Sequence, residues 1–354
     1  DAIRDNSEPP DFSNTVLAME RSAEPLRQLE AALQAFTSTA TTPAWREVAA
    51  QQLARLSTQR DETAQDPVLF ARIQEVSNAT LSADQRRLLD AYLQRAERVG
   101  AQLAPLQQKR LRDINAELAR LRQDFAAHIA AEEQELAIYV DDAAELDGLT
   151  PQQVEAAATV AQQRGRQGQF AIPIQRPRVM EVLRGASSRA LRESVWRAWV
   201  SRGSNDGEYD NRPIMSQILA LRGEKAVLLG YPNFAAWQTH DRMIGNPQAA
   251  QELLMDTWRR LLPVTERQIA ELTELAGDEL GGDSLQPWDL EYYQARARAR
   301  DFAVDMDDLR QYFALENAIA AVVWSAGELY GLRFQERDDI PRVHSTVRVF
   351  DVSR

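Results

Sequence analysis

The 354-residue sequence contains no cysteine and only three histidines. Without cysteine the chain has no disulfide framework, no thiol nucleophile and no cysteine-ligated metal. The three histidines, His128, His240 and His344, lie far apart in the sequence. Neither a G-x-S-x-G nucleophile elbow nor a Walker phosphate loop occurs. These absences exclude several common catalytic centres from this stretch of sequence.

Positive charge is also scarce relative to negative charge. The sequence has 41 basic and 53 acidic residues, which gives a net charge of −12. Binding to nucleic acid needs concentrated positive charge, so this balance argues against a nucleic-acid partner. No apolar run approaches the roughly 18 residues that a membrane-spanning helix needs, and no membrane partner is predicted. We predict a soluble protein, with the cytoplasm and the periplasm left open.

Helix starts are marked repeatedly by a capping residue that precedes a proline. Proline at the first helical position loses no hydrogen bond, and the residue before it can cap a free backbone N–H. Such pairs are Thr42-Pro43, Asp66-Pro67, Thr150-Pro151 and Asn246-Pro247. They predict a mainly α fold class, a large multi-helix array with a few short strands. Predicted helices include residues 14–36, 43–60, 67–77, 83–99, 103–132, 151–163, 247–276, 290–300 and 306–330.

The longest predicted helix runs from about Leu103 to Glu132. Its apolar residues recur at alternating steps of three and four, which makes one narrow seam along the helix. The seam consists of Leu111, Ile114, Leu118, Leu121, Phe125 and Ile129. This pattern favours packing against an antiparallel neighbour within the chain. A dimeric coiled coil is the alternative, although it usually needs more sustained heptads.

Short apolar segments predict β-strands near residues 136–140, 170–174 and 347–352. The last of them, Val347–Val352, alternates apolar and polar residues, as a half-buried strand does. One strand cannot satisfy its own backbone hydrogen bonds. We therefore expect Val347–Val352 to fray, to pair with another copy of the chain, or to use the strands near Leu136 or Phe170.

A central stretch, Arg178–Met243, has apolar residues at helical spacing, and Gly230 followed by Pro232 ends one of its helices. Its segment LRGEKAVLLGYPNFAAW (221–237) resembles a signature region of the thimet oligopeptidase family of zinc metallopeptidases. Further resemblances follow in order at 12–26 (FSNTVLAMERSAEPL), 288–293 (WDLEYY), 312–313 (YF) and 329–352 (LYGLRFQERDDIPRVHSTVRVFDV). The resemblance runs along nearly the whole chain, and the overall likeness favours the peptidyl-dipeptidase branch of the family.

The resemblance implies a mostly helical fold divided by a deep channel. This chain would form one wall of the channel and part of the other domain. It also implies a parent enzyme that releases dipeptides from the C-terminus of short peptides. Zinc in that family is held by His-Glu-x-x-His and a further glutamate. None of the three histidines begins that motif, so no catalytic or metal-binding residue is assigned. Zinc is expected in the parent enzyme, with none bound to this chain.

We therefore interpret the sequence as a fragment that is trimmed at both ends and inactive alone. The expected organisation is an N-terminal helical region at 1–135 and a second, mostly helical region at 136–354. The second region would lead into the missing zinc-binding catalytic domain. The partners implied are short peptides and that missing domain. The alternative is a stand-alone helical protein that binds peptides, or serves as a scaffold, without catalysis.

Two further groups of residues could carry binding chemistry. His128 and Glu132 lie four residues apart on the long helix and could share a cation, but a firm site needs three or four ligands. The aromatic residues Trp288, Tyr292, Tyr293, Tyr312 and Phe313 could line a peptide groove or pack in a core. Tyr293 is the predicted substrate-binding residue, because it occupies the second tyrosine of the WDLEYY resemblance.

Overall fold

The computed structural model describes residues 2–38, 43–76, 81–302, 311–342 and 346–354. These residues form thirteen α-helices and two small sheets, which confirms the mainly α fold class. Within them, no helix combines the length and apolar character needed to cross a membrane. The first six helices are α1 (Ala18–Ser38), α2 (Pro43–Gln65), α3 (Pro67–Val76), α4 (Ala83–Arg98), α5 (Pro105–Glu135) and α6 (Pro151–Gln163).

The later helices follow from residue 176 onward, and the described residues also form four short strands. The helices are α7 (Arg176–Gly185), α8 (Arg189–Val200), α9 (Arg212–Leu228), α10 (Phe234–Thr239), α11 (Pro247–Ala276), α12 (Pro287–Phe302) and α13 (Leu315–Tyr330). The strands are β1 (Ala137–Val140), β2 (Phe170–Pro173), β3 (Arg333–Arg337) and β4 (Val349–Ser353).

Several helices begin where the capping pairs predicted them, at Pro43, Pro67, Pro151 and Pro247. At α6, Thr150 Oγ1 accepts from the Gln153 backbone N–H at 3.3 Å. Gln153 Oε1 accepts in turn from the Thr150 backbone N–H at 2.8 Å. These reciprocal bonds satisfy groups that no helical partner reaches, so the local sequence alone fixes this helix start. Thr42 lies outside the described residues.

The predicted seam along α5 is largely buried. Its first four members are at most 3% exposed: Leu111, Ile114, Leu118 and Leu121. Phe125 and Ile129, which come later on the seam, are half-buried. A seam covered by its own chain leaves no apolar stripe for a second copy. The burial therefore favours internal packing over the dimeric coiled coil.

The chain folds into two compact units, one comprising residues 1–113, 227–231 and 314–354, and the other residues 114–226 and 232–313. A core of the first unit gathers Val16, Ile73, Val76 and Leu89. The core of the second unit is larger, and its members include Ile174, Val179, Leu191 and Val195. The predicted boundary after residue 135 concerns domains of the whole protein and stays a prediction.

Both sheets are antiparallel pairs. β1 pairs with β2 in a register that places Ala137 opposite Pro173 and Val140 opposite Phe170. Both strands lie where the sequence predicted them, near residues 136–140 and 170–174. β4 pairs with β3, and Phe334 lies opposite Val352. The expected partners of the last strand were therefore wrong. Its partner is the nearby segment Arg333–Arg337, which reaches it without any need for the strands near Leu136 or Phe170.

The predicted helix over residues 306–330 is shorter in the structure. Residues 303–310 lie outside the described part, and Gln311–Phe313 form a 3-10 turn. Ala314 then adopts an extended conformation with ψ of 142°, so α13 starts only at Leu315. An extended residue interrupts the helical hydrogen-bond ladder, and apolar periodicity does not report such a break.

Two valines on α8 provide a matched test of the core of the second unit. Val195 is 0% exposed and Val200 is 52% exposed. We expect Val195→Ala to lower the free energy of unfolding by roughly 1.5–3 kcal/mol, through lost apolar burial and a new cavity. Val200→Ala changes helix propensity in the same direction and loses much less packing, because Val200 is already half exposed. Urea unfolding followed by circular dichroism measures both, and equal midpoints for the two variants would contradict the assigned core.

Candidate functional site

Three of the five aromatic residues singled out in the sequence lie on α12. Trp288 is in the first turn, and Tyr292 and Tyr293 follow one turn later. The Trp288 ring meets the Trp196 ring of α8 edge-on, with 5.6 Å between centroids. The guanidinium of Arg197 lies 5.0 Å from the Trp288 ring centroid. This end of α12 is therefore held against α8 by aromatic and cation–π contacts.

Asp289, next to Trp288, is completely buried, and its carboxylate accepts hydrogen bonds from two arginines and one backbone group. Arg189 donates to it from Nε and Nη2, the latter at 3.0 Å. Arg192 donates from Nη2 at 2.9 Å, and the Gln286 backbone N–H donates at 3.1 Å. Arg189 and Arg192 lie three residues apart on α8, so their side chains share one face. The carboxylate joins α8, α12 and the loop before α12.

Electrostatics in this cluster favour the ionised carboxylate. Burial raises the pKa of Asp289, but hydrogen bonds from Arg189, Arg192 and the Gln286 backbone outweigh that effect, so the pKa lies below its ordinary value. A carboxyl group with a lowered pKa is a poor proton acceptor at neutral pH. Two arginines and one backbone N–H already bond its oxygens, so the geometry is that of a structural anion.

Tyr293 lies in a second contact group at the same helix. Its side chain is 2% exposed and packs with Leu272, Ala276 and Leu280. Its hydroxyl donates to Glu279 Oε2 at 3.2 Å, and Arg296 Nη1 also bonds that carboxylate. Burial, followed by the charge of Glu279, raises the pKa of Tyr293. The predicted peptide contact of Tyr293 is not tested by this geometry and stays a prediction.

The remaining aromatic candidates, Tyr312 and Phe313, differ from this group in solvent exposure. Tyr312 is 69% exposed and Phe313 is 70% exposed, both in the 3-10 turn before α13. Tyr292 by contrast is half-buried and stacks under Arg192, with 4.1 Å from the guanidinium carbon to the ring centroid. The structure thus brings together Trp288, Tyr292 and Tyr293 and leaves the other two on the surface.

The sequence analysis did not single out the three charged residues that join α8 and α12, namely Asp289, Arg189 and Arg192. Asp289 stands inside the WDLEYY segment, and Arg189 and Arg192 stand at helical spacing about 100 residues earlier in the chain. The available signal was an acidic residue flanked by Trp288 and Leu290, in a segment with apolar spacing. A buried carboxylate of this kind needs a charged partner, which the sequence does not identify.

The second candidate pair, His128 and Glu132, lies in a separate network on α5. His128 Nδ1 is 3.0 Å from Asn211 Oδ1. Glu132 is 4% exposed, and its two oxygens accept from the Gly203 backbone N–H and from Asn205 Nδ2. These bonds hold the loop at residues 201–211 against α5. Both oxygens of the carboxylate already have donors, so Glu132 acts as a structural acceptor.

Metal ligands do not converge in the part of the chain that the structure describes. No group of three or more histidine, aspartate or glutamate side chains there could hold a metal ion. His240 is already engaged with neighbouring groups. His344 lies outside the described residues. The described donor set therefore does not fit a zinc site, which needs three or four ligands around one point.

Sequence comparisons link the chain to known peptidases. Residues 182–354, which include Arg189, Arg192, Asp289 and Tyr293, match the family described as Peptidase family M3. The chain is 31% identical over 360 residues to a dipeptidyl carboxypeptidase of Escherichia coli, a match that covers 99% of this chain and 52% of that protein. The corresponding protein of Salmonella typhimurium is 32% identical, with the same coverage of 99% and 52%.

A second group of relatives is matched over less of the chain. Oligopeptidase A of Escherichia coli is 31% identical over 278 residues, covering 77% of this chain and 41% of that protein. The chain spans about half the length of the two dipeptidyl carboxypeptidases.

The buried ion cluster makes a prediction about pH. Asp289→Asn should lower the free energy of unfolding by roughly 3–5 kcal/mol at neutral pH, because it leaves buried arginine charge unpaired. A lowered folded-state pKa contributes stability above the ordinary value of 3.8, and this contribution is lost as pH falls through the folded pKa. The difference in free energy of unfolding between the unchanged chain and Asp289→Asn should therefore shrink as the pH falls below 3.8. Urea titrations at a series of pH values measure it.

Asp283→Asn is the matched control, since Asp283 also bonds Arg189 but its side chain is 73% exposed. We expect that variant to change stability by less than about 1 kcal/mol. A difference for Asp289→Asn that stays constant through the acid range would contradict the assigned linkage.

Proposed function

Because the chain belongs to peptidase family M3, we propose that it is the N-terminal part of a zinc-dependent peptidyl-dipeptidase. The parent enzyme would hydrolyse short peptides and release dipeptides from their C-terminus. The observation that carries the proposal is the coverage of the match. Similarity to the dipeptidyl carboxypeptidases extends over 99% of this chain, whereas similarity to oligopeptidase A extends over 77%. The wider match favours the dipeptide-releasing branch.

Zinc chemistry is proposed for the parent enzyme and is not assigned to these residues. A bound zinc ion would polarise the scissile carbonyl and lower the pKa of a bound water. The described residues of this chain do not offer a ligand group for such an ion. We propose that the ligands belong to the part of the parent protein that this chain does not span. No residue of the chain is therefore assigned a catalytic step.

The contribution of this chain is a supporting one in the proposal. Arg189, Arg192 and Asp289 lie within the family match and fix α12 against α8. Both oxygens of the buried Asp289 carboxylate accept hydrogen bonds. The cluster resists rearrangement, because moving one partner leaves a buried charge unpaired. The cluster would thereby hold one wall of the peptide-binding channel in place, with Tyr293 on the same helix as its proposed peptide contact.

Activity and zinc affinity test the proposal directly. We expect the 354-residue chain to hydrolyse no quenched-fluorescence oligopeptide and to show no stoichiometric zinc isotherm by calorimetry, because its sequence contains no His-Glu-x-x-His motif. The whole parent protein should release C-terminal dipeptides, and a chelator should abolish that release. Chelator-sensitive dipeptide release by the purified 354-residue chain would overturn the proposal. A parent protein without a His-Glu-x-x-His motif would favour the non-catalytic alternative.

Tyr293 is tested in the whole parent protein. We expect Tyr293→Phe to raise KM for oligopeptides at least threefold with little change in kcat, since it removes a hydroxyl proposed to bond the peptide backbone. Tyr209→Phe is the matched control, because Tyr209 also donates to a carboxylate, that of Glu135 at 2.6 Å. Each variant should lose roughly 0.5–1.5 kcal/mol of stability with its hydrogen bond. Unchanged KM in Tyr293→Phe would assign the residue to the core alone.

A further inference from the structure

Helix α13 has the composition of a buried helix, but the described residues cover it only in part: Ile319, Val323 and Ala326 are half-buried. Its sequence, LENAIAAVVWSAGELY, contains two charged residues, Glu316 and Glu328. No residue of α13 is buried by the described part of the chain. Several of its large apolar side chains are at least 64% exposed: Leu315, Val322, Trp324, Leu329 and Tyr330. Soluble proteins rarely leave a contiguous apolar surface of this kind in water.

The exposed residues lie on more than one side of the helix. Leu315, Val322 and Leu329 recur every seven residues and therefore share one face. Trp324 is two residues after Val322, which places it about 200° around the axis at roughly 100° per residue. A helix that is apolar on opposite faces is typical of the interior of a protein. One flat contact surface could not cover both faces of α13.

The adjoining sheet is open in the same way. Gly331, in a left-handed conformation with φ of 69°, ends α13 and leads directly into β3. Arg348, just before β4, bonds Glu316 in the first turn of α13 at 3.0 Å and Glu336 of β3 at 2.6 Å. Within the described residues this sheet contains β3 and β4 alone. A two-stranded sheet is marginally stable by itself, and its outer edges can each accept another strand.

We propose that α13 and the β3–β4 sheet form the seat for the C-terminal remainder of the parent polypeptide, with α13 enclosed on opposite faces. The proposal rests on the proposed function. The family match includes the whole of this seat, and the chain spans about half of its relatives, so a comparable length of polypeptide is available to cover it. We define residues 315–337 together with 349–353 as the α13 seat.

A second copy of the chain is a poorer occupant for two reasons. A two-fold symmetric contact uses one patch on each copy, so it covers one face of α13 and leaves the opposite face in water. Each copy also carries a net charge of −12, which opposes association of like chains. A short peptide covers too little area to enclose a 16-residue helix. The remainder of the same polypeptide meets both requirements, since it is tethered and can pass on both sides.

The test compares one pair of substitutions in two proteins, the 354-residue chain and the whole parent protein. We expect Val322→Asp combined with Trp324→Asp to leave the thermal midpoint of the 354-residue chain within 1 or 2 °C, roughly, because neither side chain is buried there. In the whole protein the same pair should lower the midpoint by at least about 5 °C, because it places charges in a covered interior.

Leu106→Asp is the control, since Leu106 is 80% exposed, lies in the same compact unit and is outside the α13 seat. It should leave both midpoints unchanged. Hydrogen exchange supplies a second readout: backbone amides of the α13 seat should exchange at least tenfold more slowly in the whole protein than in the 354-residue chain.

Two outcomes would overturn the inference. One is an equal effect of the double substitution in both proteins, with equal exchange rates at the α13 seat. The other is a 354-residue chain that sediments as a dimer and becomes monomeric on Trp324→Asp, which would make a second copy the occupant. Peptidase activity is scored separately: an inactive whole protein with a protected α13 seat removes the proposed function and keeps the seat. An active whole protein with an unprotected α13 seat keeps the proposed function and removes the seat.

Discussion

The arrangement of α8 and α12 in the second compact unit depends on the hydrogen-bonded ion pairs that the buried Asp289 carboxylate makes with Arg189 and Arg192. A fully desolvated charge is tolerated only where hydrogen bonds and opposite charge surround it. Arg189, Arg192 and the Gln286 backbone supply both, so α8, α12 and the loop between Asp283 and Gln286 must keep one relative arrangement. Apolar packing of Trp288 against Trp196 adds burial at the same place. The hydrogen bonds to Asp289 and the packing of Trp288 on Trp196 thus favour the same arrangement of α8 and α12.

This tightly specified centre contrasts with α13 and with the part of α11 before Leu272, where large apolar side chains are exposed. On α11, Leu254, Trp258 and Leu261 are 70%, 60% and 54% exposed, and α13 has no buried residue. The stabilisation from apolar burial is proportional to the area removed from water, so these exposed side chains add little to the stability of the 354-residue chain. The composition of α13 is that of a buried helix, yet several of its large apolar side chains are exposed in the 354-residue chain. The chain matches only about half the length of its relatives. In the proposal above, the surface that covers α13 belongs to the rest of the parent protein.

Prediction from sequence succeeded where local chemistry decides the structure. The starts of α6 and α11 follow from Thr150, Asn246 and the prolines after them, because a cap acts within one turn. The seam of α5 follows from its spacing, because side chains three and four residues apart share a face. The partner of β4 was predicted wrongly, since strand pairing depends on which segment lies close in space. Among the aromatic candidates, spacing could not separate Tyr293, which is buried, from Tyr312, which is exposed.

The sequence by itself determined the fold class, the helix starts, the family resemblance and the absence of a His-Glu-x-x-His motif from these 354 residues. Each of these is written in residue types and short spacings. The tertiary structure alone decided that Asp289 is held by Arg189 and Arg192, and that Glu132 holds the loop at 201–211. It also decided that no residue of α13 is buried by the described part of the chain. The physical reason is distance along the chain: about 70 to 100 residues separate the partners of these ion pairs and hydrogen bonds. No short-range pattern encodes which distant charge a buried group will meet.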